Sequence, residues 1–454
     1  MNGIQTASVV IFVVTVVLIA TERIHRTNAS LLGAGAMVAI GAVRPEELLL
    51  SIGVEILGVI IGMMLLVKGA EMSGLFSSMA VKIMGVSRAP ASFSILLMSL
   101  TMVLSMSLSN IGAMLISAAV TVAMTRSLGI RSETFLIFQA ILANLGGMLM
   151  MSSIPNIIVS VEGGLSFSSF AVSILPIGAV LFVVTILIFR RVLRAEAERE
   201  AEGELRPVGS GEWVYELVEG EVEADIMREV RPIEFADLVD LSLREFGPVG
   251  MGWRQMAAAV IMAGTIVAFA AYDLLGLTPA LAALTGGCLM MMFSVEDPTR
   301  AIREMDWSTI LFLGGLFVVV NGMDKVGLIE MLSVGMLNLV GRWLRSIPIV
   351  VMWLSALPSA LIDNIPLTAA FVPILRRWVG EGASAGVWLG LVLGANLGSS
   401  LTPIGASSSI IALGVAEQEG QPIPLSRFFS VCFGVTAVHL AISTLYLYLV
   451  YSLL

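Results

Sequence analysis

Apolar runs of spanning length recur from residue 5 to residue 450, broken at regular intervals by short polar clusters. In the first half they predict membrane helices near 5–20, 30–43, 49–69, 134–158 and 170–190, most of them close to the ~20 residues that cross a hydrocarbon layer. The stretch 92–125 is too long for one ordinary crossing and carries "SMSLSN" at its middle. A re-entrant hairpin of two half-helices accommodates both features, because non-helical backbone at membrane depth survives only where protein or a cavity shields it. The stretch 346–376, with "LIDNIPLTA" at its centre, has the same form. A barrel would instead show short alternating strands.

The two halves resemble each other. "GMMLLVKGAEMSGLF" (62–76) lies over "GLFVVVNGMDKVGLI" (315–329), matching Gly62 with Gly315, Gly69 with Gly322 and Gly74 with Gly327. At nearly the same offset "SLSNIGAML" faces "LIDNIPLTA", aligning Asn110 with Asn364, and "ANLGGMLMMSSIPN" faces "ANLGSSLTPIGAS", aligning Asn144 with Asn396. Three matches in one register point to duplication. The expected fold is therefore an all-α polytopic membrane protein of two repeats, each with about five spans plus a re-entrant hairpin, and with discontinuous helices at the midplane. An odd number of crossings sets the second repeat upside down, and inverted repeats with broken helices are the pattern of secondary transporters. The expected divisions are residues 1–194, a connector over 195–253, and residues 254–454.

Composition fits this reading: 57% of the chain is hydrophobic and 13% charged, with a mean hydropathy of +0.96, far from the balance of a soluble domain. The net charge of −9 is local, because residues 195–245 alone hold 16 acidic and 5 basic side chains. That segment reads as a solvated linker, with partner binding as the alternative. Basic residues such as Arg23, Arg26, Arg190, Arg191, Arg300 and Arg303 outnumber those on the other side, including Arg44, Lys325, Arg376 and Arg377. The bias puts the amino terminus outside and the linker in the cytoplasm. The first run has no basic region before it and no small-residue cleavage site after it, so it reads as a retained helix.

Cys288 and Cys432 lie in apolar stretches and His25 and His439 are far apart, which argues against a disulfide and a zinc site. The scattered methionines read as packing. The chain has no phosphate-binding G-x-x-x-x-G-K-[ST] loop, no G-x-S-x-G elbow and no H-E-x-x-H pair. No enzyme activity, cofactor or nucleic-acid partner is expected, although a separate ATPase subunit stays compatible with the sequence.

The polar breaks hold the candidate chemistry. A carboxylate near the bilayer centre costs about 2.5–3.5 kcal/mol and marks a pathway or a pairing site, which makes Asp363 the candidate for coupling. Burial disfavours its ionised form and a bound cation favours it, so one such group can exchange H+ for Na+. Asn110 and Asn364 sit at the two expected hairpin tips. With Ser105, Ser107, Ser109 and freed carbonyls they offer hard neutral ligands for Na+, while half-helix amino termini suit an anionic or oxygen-rich solute. Capping of helix ends is the plainer alternative. The breaks "NLGGMLMMSSIPN" (144–156) and "NLGSSLTPIGASSS" (396–409) bring in Asn144, Gly147, Ser153 and Asn156, and Asn396, Thr402, Gly405 and Ser407. Glycine there permits close approach and Ser/Thr hydroxyls replace lost backbone bonds; tight helix packing through Gly146, Gly147, Gly398 and Gly405 is the alternative.

On "ERIHRTNASLLGA" (22–34), "MDWSTILFLGGLFVVVNGM" (305–323), "SALIDNIPLTAAFVPIL" (359–375) and "GANLGSSLTPIGASSSIIALGVAEQEG" (394–420), the chain resembles the ion transporter superfamily. The branch is that of arsenite efflux pumps, D-type sodium/proton antiporters and the melanosomal P protein, with citrate and dicarboxylate carriers as more distant relatives. The resemblance implies a scaffold part, a moving transport part and dimerisation through the scaffold. It implies solute or ion contacts at Asn110, Asn156, Asp363, Asn364, Thr402 and Ser407. Two acids of the antiporter pattern are missing: Ser109 precedes Asn110 where relatives have Asp-Asn, and "SSIPN" stands where many have "GDPPN", putting Ser153 in place of a carboxylate.

Three transport readings follow, all in a plasma membrane. The first is export of arsenite, antimonite or a related small solute by proton exchange at Asp363. The others are Na+/H+ antiport and Na+-coupled uptake of a carboxylate. A non-transporting scaffold or sensor that uses the acidic loop is the reading from another class.

Overall fold

The structure, a computed structural model, describes residues 3–21, 23–84, 90–128, 130–150, 153–201, 252–340, 346–403 and 405–452. The expected connector falls almost wholly outside the described residues, as do Arg88, Arg342 and Arg345.

Among the described residues, ten α-helices form the first half: α1 (Gly3–Thr21), α2 (Arg26–Ala39), α3 (Leu48–Ser51), α4 (Val54–Met72), α5 (Leu75–Met84), α6 (Pro90–Ser107), α7 (Asn110–Leu128), α8 (Glu133–Leu149), α9 (Ile154–Gly163) and α10 (Phe167–Ala201). The second half repeats them in order: α11 (Trp253–Leu275), α12 (Pro279–Phe293), α13 (Pro298–Arg303), α14 (Trp307–Lys325), α15 (Leu328–Val340), α16 (Ile347–Ser359), α17 (Asn364–Gly380), α18 (Gly386–Gly398), α19 (Ser407–Gln418) and α20 (Leu425–Leu447). No strand occurs among the described residues.

The expected long segments 92–125 and 346–376 are both two helices meeting at a polar turn, α6/α7 and α16/α17. Two features differ from the expectation. The ten-residue helix α5, too short to register as a crossing, follows α4 through a left-handed Gly74 at φ +76°. Helix α10 also runs seven residues into the expected connector, ending at Ala201. Among the described residues, four helical stretches are long and apolar enough to cross a membrane, namely Glu133–Gly163, Phe167–Glu196, Trp307–Lys325 and Leu425–Tyr451. Others are shorter apolar helices, among them both arms of the first hairpin and the first arm of the second.

Packing divides the chain into two bodies. In one, α4 crosses α12 and α2 crosses α14, with α1 and α11 on the flanks. Glycine makes these crossings close: a Cβ on Gly62 would sit 2.3 Å from the Ala283 backbone, and one on Gly315 would sit 2.9 Å from that of Ser30. In the other body α6 packs on α8 and α16 on α18, while α9 reaches across to α17 and α19 to α7. Along α18, Gly390, Gly394 and Gly398 each lie where a Cβ would come 2.2 Å from a carbonyl of α16; this bears out helix packing as one role of Gly398. The bodies touch mainly through α14 with α17 and α4 with α9. Large apolar side chains on α1, α10, α11 and α20, such as Val13, Val183, Val260 and Leu445, are exposed, as a lipid-facing belt requires. Cys288 and Cys432 are both free.

A buried asparagine cluster where four helix breaks meet

Each break has a local cause. At the first hairpin tip α6 ends at Ser107 and α7 begins at Asn110, where Ser109 Oγ accepts from the Gly112 amide at 3.2 Å. At the second, Asp363 is the cap of α17 and its carboxylate accepts from the Ile365 amide at 3.5 Å. Helix α9 starts at Ile154 with Pro155 in its first turn, where the missing amide costs nothing. After α18 the chain tightens into a 3-10 turn over Ser399–Leu401 before α19. Thr402 Oγ1 donates to the Ala360 carbonyl of the second hairpin tip and accepts from the Gly405 amide, fastening this break to that tip.

The four breaks converge on asparagines from both halves. Asn110 Nδ2 donates to Asn144 Oδ1 at 2.9 Å, and Asn144 Nδ2 donates to Ser400 Oγ at 2.8 Å. Ser408 Oγ donates to Asn144 Oδ1 at 3.0 Å. On the other side Asn364 Nδ2 donates to Asn396 Oδ1 at 3.3 Å, and Asn396 Nδ2 to Asn156 Oδ1 at 3.4 Å. Asn156 Nδ2 in turn donates to the carbonyls of Gly147, Met148 and Met150, the open end of α8. Asn144, Asn156 and Asn396 are buried while Asn110 and Asn364 are half-buried, so the tip asparagines carry the cluster outward. Ser105 and Ser359 mirror each other: Ser105 Oγ donates to the Ala143 carbonyl and to Asn110 Oδ1, and Ser359 Oγ donates to the Ala395 carbonyl.

Of the residues singled out in the sequence, Asn110, Asn144, Asn156, Asn364 and Asn396 meet here, and Gly147 leaves the space that the Asn110 amide fills. Gly405 lies against the Ser399 and Ser359 carbonyls. Ser109 and Ser407 are exposed, Ser107 and Ser153 half-buried, and none of these four has a hydrogen bond to the cluster among those described. The Ser153 hydroxyl has no hydrogen-bond partner among the described residues at the start of α9. Ser400, Ser408 and Ser359 lie inside the same motifs and also join the network; nothing in the sequence separates them from Ser399 and Ser409, which are equally buried.

Asp363 lies at the edge of the cluster and is already paired. Arg26, the first residue of α2, places Nη1 3.1 Å from its Oδ2. The same guanidinium donates through Nη2 to Thr309 Oγ1 at 3.0 Å, stands 3.9 Å from Asp306 Oδ2, and lies 5.6 Å from the centre of the Phe312 ring. In sequence Arg26 reads only as a flanking basic residue. Its role emerges when α2 is laid against α14.

A separate cleft of about 170 Å³ opens between the two bodies near the far end of α17. Ser51, Asn321 and Asp324 line one wall and Glu162 and Arg376 the other. The last two form an ion pair across α9 and α17.

Chemically the cluster offers neutral amides and hydroxyls, the amino-terminal ends of α7, α9, α17 and α19, and one carboxylate. Each helix start carries roughly half a unit of positive charge, and the carbonyl ends of the preceding arms offer the opposite polarity. Gly147→Ala would set a Cβ 2.3 Å from Asn110 Oδ1. This variant is expected to lose most of its solute flux in liposomes while its monodisperse yield in detergent stays near wild type; unchanged flux would remove Asn110 from the site.

Discontinuous helices whose ends meet on buried polar groups, in an all-helical bundle with an apolar surface, define a polytopic membrane protein of the transporter class. The chain belongs to the citrate transporter (CitMHS) family, which it matches over residues 16–389. It is 30% identical to an uncharacterized transporter of Mycobacterium tuberculosis over 98% of both chains. It is 27% identical to the P protein of Homo sapiens, over 95% of this chain and 58% of that one. Its fold is similar to that of the Alcanivorax borkumensis YdaH transporter, with a TM-score of 0.58 at 14% identity, covering 88% of this chain and 86% of the other.

Proposed function

We propose that the protein is a secondary active transporter of a small oxygen-rich solute, driven by a cation, H+ or Na+, that binds at Asp363. One observation carries the reading: four helix breaks from both halves meet in a buried, uncharged amide cluster with a single carboxylate at its edge. Buried polar groups in lipid are costly without a pathway to serve. Neutral amides and positive helix ends favour an uncharged or anionic solute over a second cation. Arsenite or antimonite exchanged for protons fits this donor set best, ahead of simple Na+/H+ antiport. Na+-coupled carboxylate transport is the second reading, favoured by the family's description and by Arg26 beside the cluster.

In this proposal the helices of the α4/α12 body act as scaffold and the hairpin body moves, with the halves opposed in the membrane and two copies joined through the scaffold. The amino terminus lies outside and the connector in the cytoplasm. The chain carries no catalytic role, and a separate ATPase subunit would only add drive. The test is flux in proteoliposomes containing a pH dye, challenged in turn with Na+, Li+, arsenite, antimonite, citrate and succinate. A proton or Na+ current that depends on one solute is the expected result, and the solute decides between the readings. Silence with every solute, in vesicles whose protein is shown to be folded, refutes transport of this kind.

A further inference from the structure

The charge group around Arg26 exists on one side of the molecule only. In the aligned halves Asp363 corresponds to Ser109, Arg26 to Pro279, Asp306 to Gly53 and Thr309 to Ile56. Arg26 and Pro279 are each the first residue of equivalent helices, and Asp306 and Gly53 each precede equivalent helices. The amide pairs Asn110/Asn144 and Asn364/Asn396 recur in both halves, yet all four members of the charge group are absent from the first hairpin's surroundings together. The arginine therefore serves the carboxylate, not the general fold of a repeat.

Two acids share this one guanidinium. Its Nη1 faces Asp363 at 3.1 Å, and its Nη2 faces Thr309 at 3.0 Å with Asp306 behind at 3.9 Å. Asp306 is held by its own duties, since it caps α14 by accepting from the Thr309 amide at 3.0 Å and takes the Thr309 hydroxyl as well. Asp306, Thr309 and the Phe312 ring thus form a fixed seat on one body, while Asp363 belongs to the hairpin of the other. If Asp363 is neutralised, the guanidinium keeps a counter-charge within reach of a small side-chain rotation.

We propose that Arg26 is a tethered counter-ion: it fills the cation position at Asp363 while no coupling cation is bound, and withdraws onto Asp306 when one arrives. This rests on the transport reading above and names the residue that competes with the cation. Binding then exchanges one positive charge for another at Asp363 and frees the hairpin from its ion pair to α2. Among the described residues, Arg26 from α2 faces Asp363 in this exchange, with Asp306 at the start of α14 behind it.

The test titrates Na+, and separately H+, against purified full-length protein by calorimetry, and against flux in proteoliposomes. Arg26→Gln removes the competitor, so the half-saturating cation concentration is expected to fall by about tenfold or more, with a lower maximal flux. Asp306→Asn keeps the helix cap but removes the alternative seat, so half-saturation is expected to rise. Arg26→Lys keeps the charge but offers one ammonium in place of a planar fork with two partners, so its half-saturation is expected to lie between those of Arg26→Gln and wild type. Unchanged half-saturation in folded Arg26→Gln, or shifts of the same sign in Arg26→Gln and Asp306→Asn, overturns the proposal. Opposite shifts in binding with no flux in wild type would uphold the counter-ion and refute the transport reading instead.

Discussion

Asp363→Asn is expected to abolish cation-coupled flux while the protein folds and still binds solute. The substitution is nearly isosteric, and asparagine caps helices about as well as aspartate, so the bond from the Ile365 amide that starts α17 can persist. Arg26 loses one partner but retains Thr309, Asp306 and the face of Phe312, so no isolated charge is left behind. What disappears is the charge that a proton or Na+ would occupy. Solute counterflow, which needs no net cation movement, separates coupling from binding: it should continue in Asp363→Asn while uphill flux falls to the level of empty liposomes. If uphill flux continues, Asp363 is a structural cap and the driving ion binds elsewhere. If counterflow fails as well, with an unchanged melting temperature, the carboxylate belongs to the solute site itself.

The repeat was readable because the same physical demand occurs twice. A Cβ on Gly69 would meet Met290 at 2.5 Å, and one on Gly322 would meet Met37 at 3.1 Å. Gly74 and Gly327 adopt φ of +76° and +77°, a left-handed turn that side chains resist. The breaks were readable for a similar reason, since Asn, Gly and Pro interrupting apolar runs are costly unless something shields the exposed backbone. Partnership was not readable. Arg26 and Asp363 stand 337 positions apart, and an arginine after a first span already has a sufficient explanation in charge bias. The choice among serines failed likewise: Ser407 and Ser408 are neighbours in one motif, but helical rotation buries Ser408 against Asn144 and leaves Ser407 exposed.

Asn144→Ala is expected to be the most destabilising single change in the cluster and to silence transport with it. Asn144 joins three partners from two halves: Asn110 at 2.9 Å, Ser400 at 2.8 Å and Ser408 at 3.0 Å. Ser408 has a second acceptor in the Ala140 carbonyl at 3.2 Å, so the loss falls on Ser400 and on the Asn110 amide nitrogen, because Ser105 holds only the Asn110 amide oxygen. Leaving buried polar groups unmet costs about 1–3 kcal/mol each, so a total near 3 kcal/mol is expected. Asn396 occupies the equivalent position, yet its side-chain partners Asn364 and Asn156 lie at 3.3 and 3.4 Å. Its amide also rests on the Val392 carbonyl at 2.8 Å, within its own helix. Asn396→Ala should therefore melt at a temperature between Asn144→Ala and wild type in detergent, although both should be silent in liposomes. Longer bonds in one half and shorter ones in the other describe a cluster tight around Asn144 and looser beside Asp363. That looser side is where a hairpin must part from its neighbours if the carboxylate is to exchange its cation. Equal melting temperatures for the two variants would mean the cluster is uniformly tight and place the moving seam outside it.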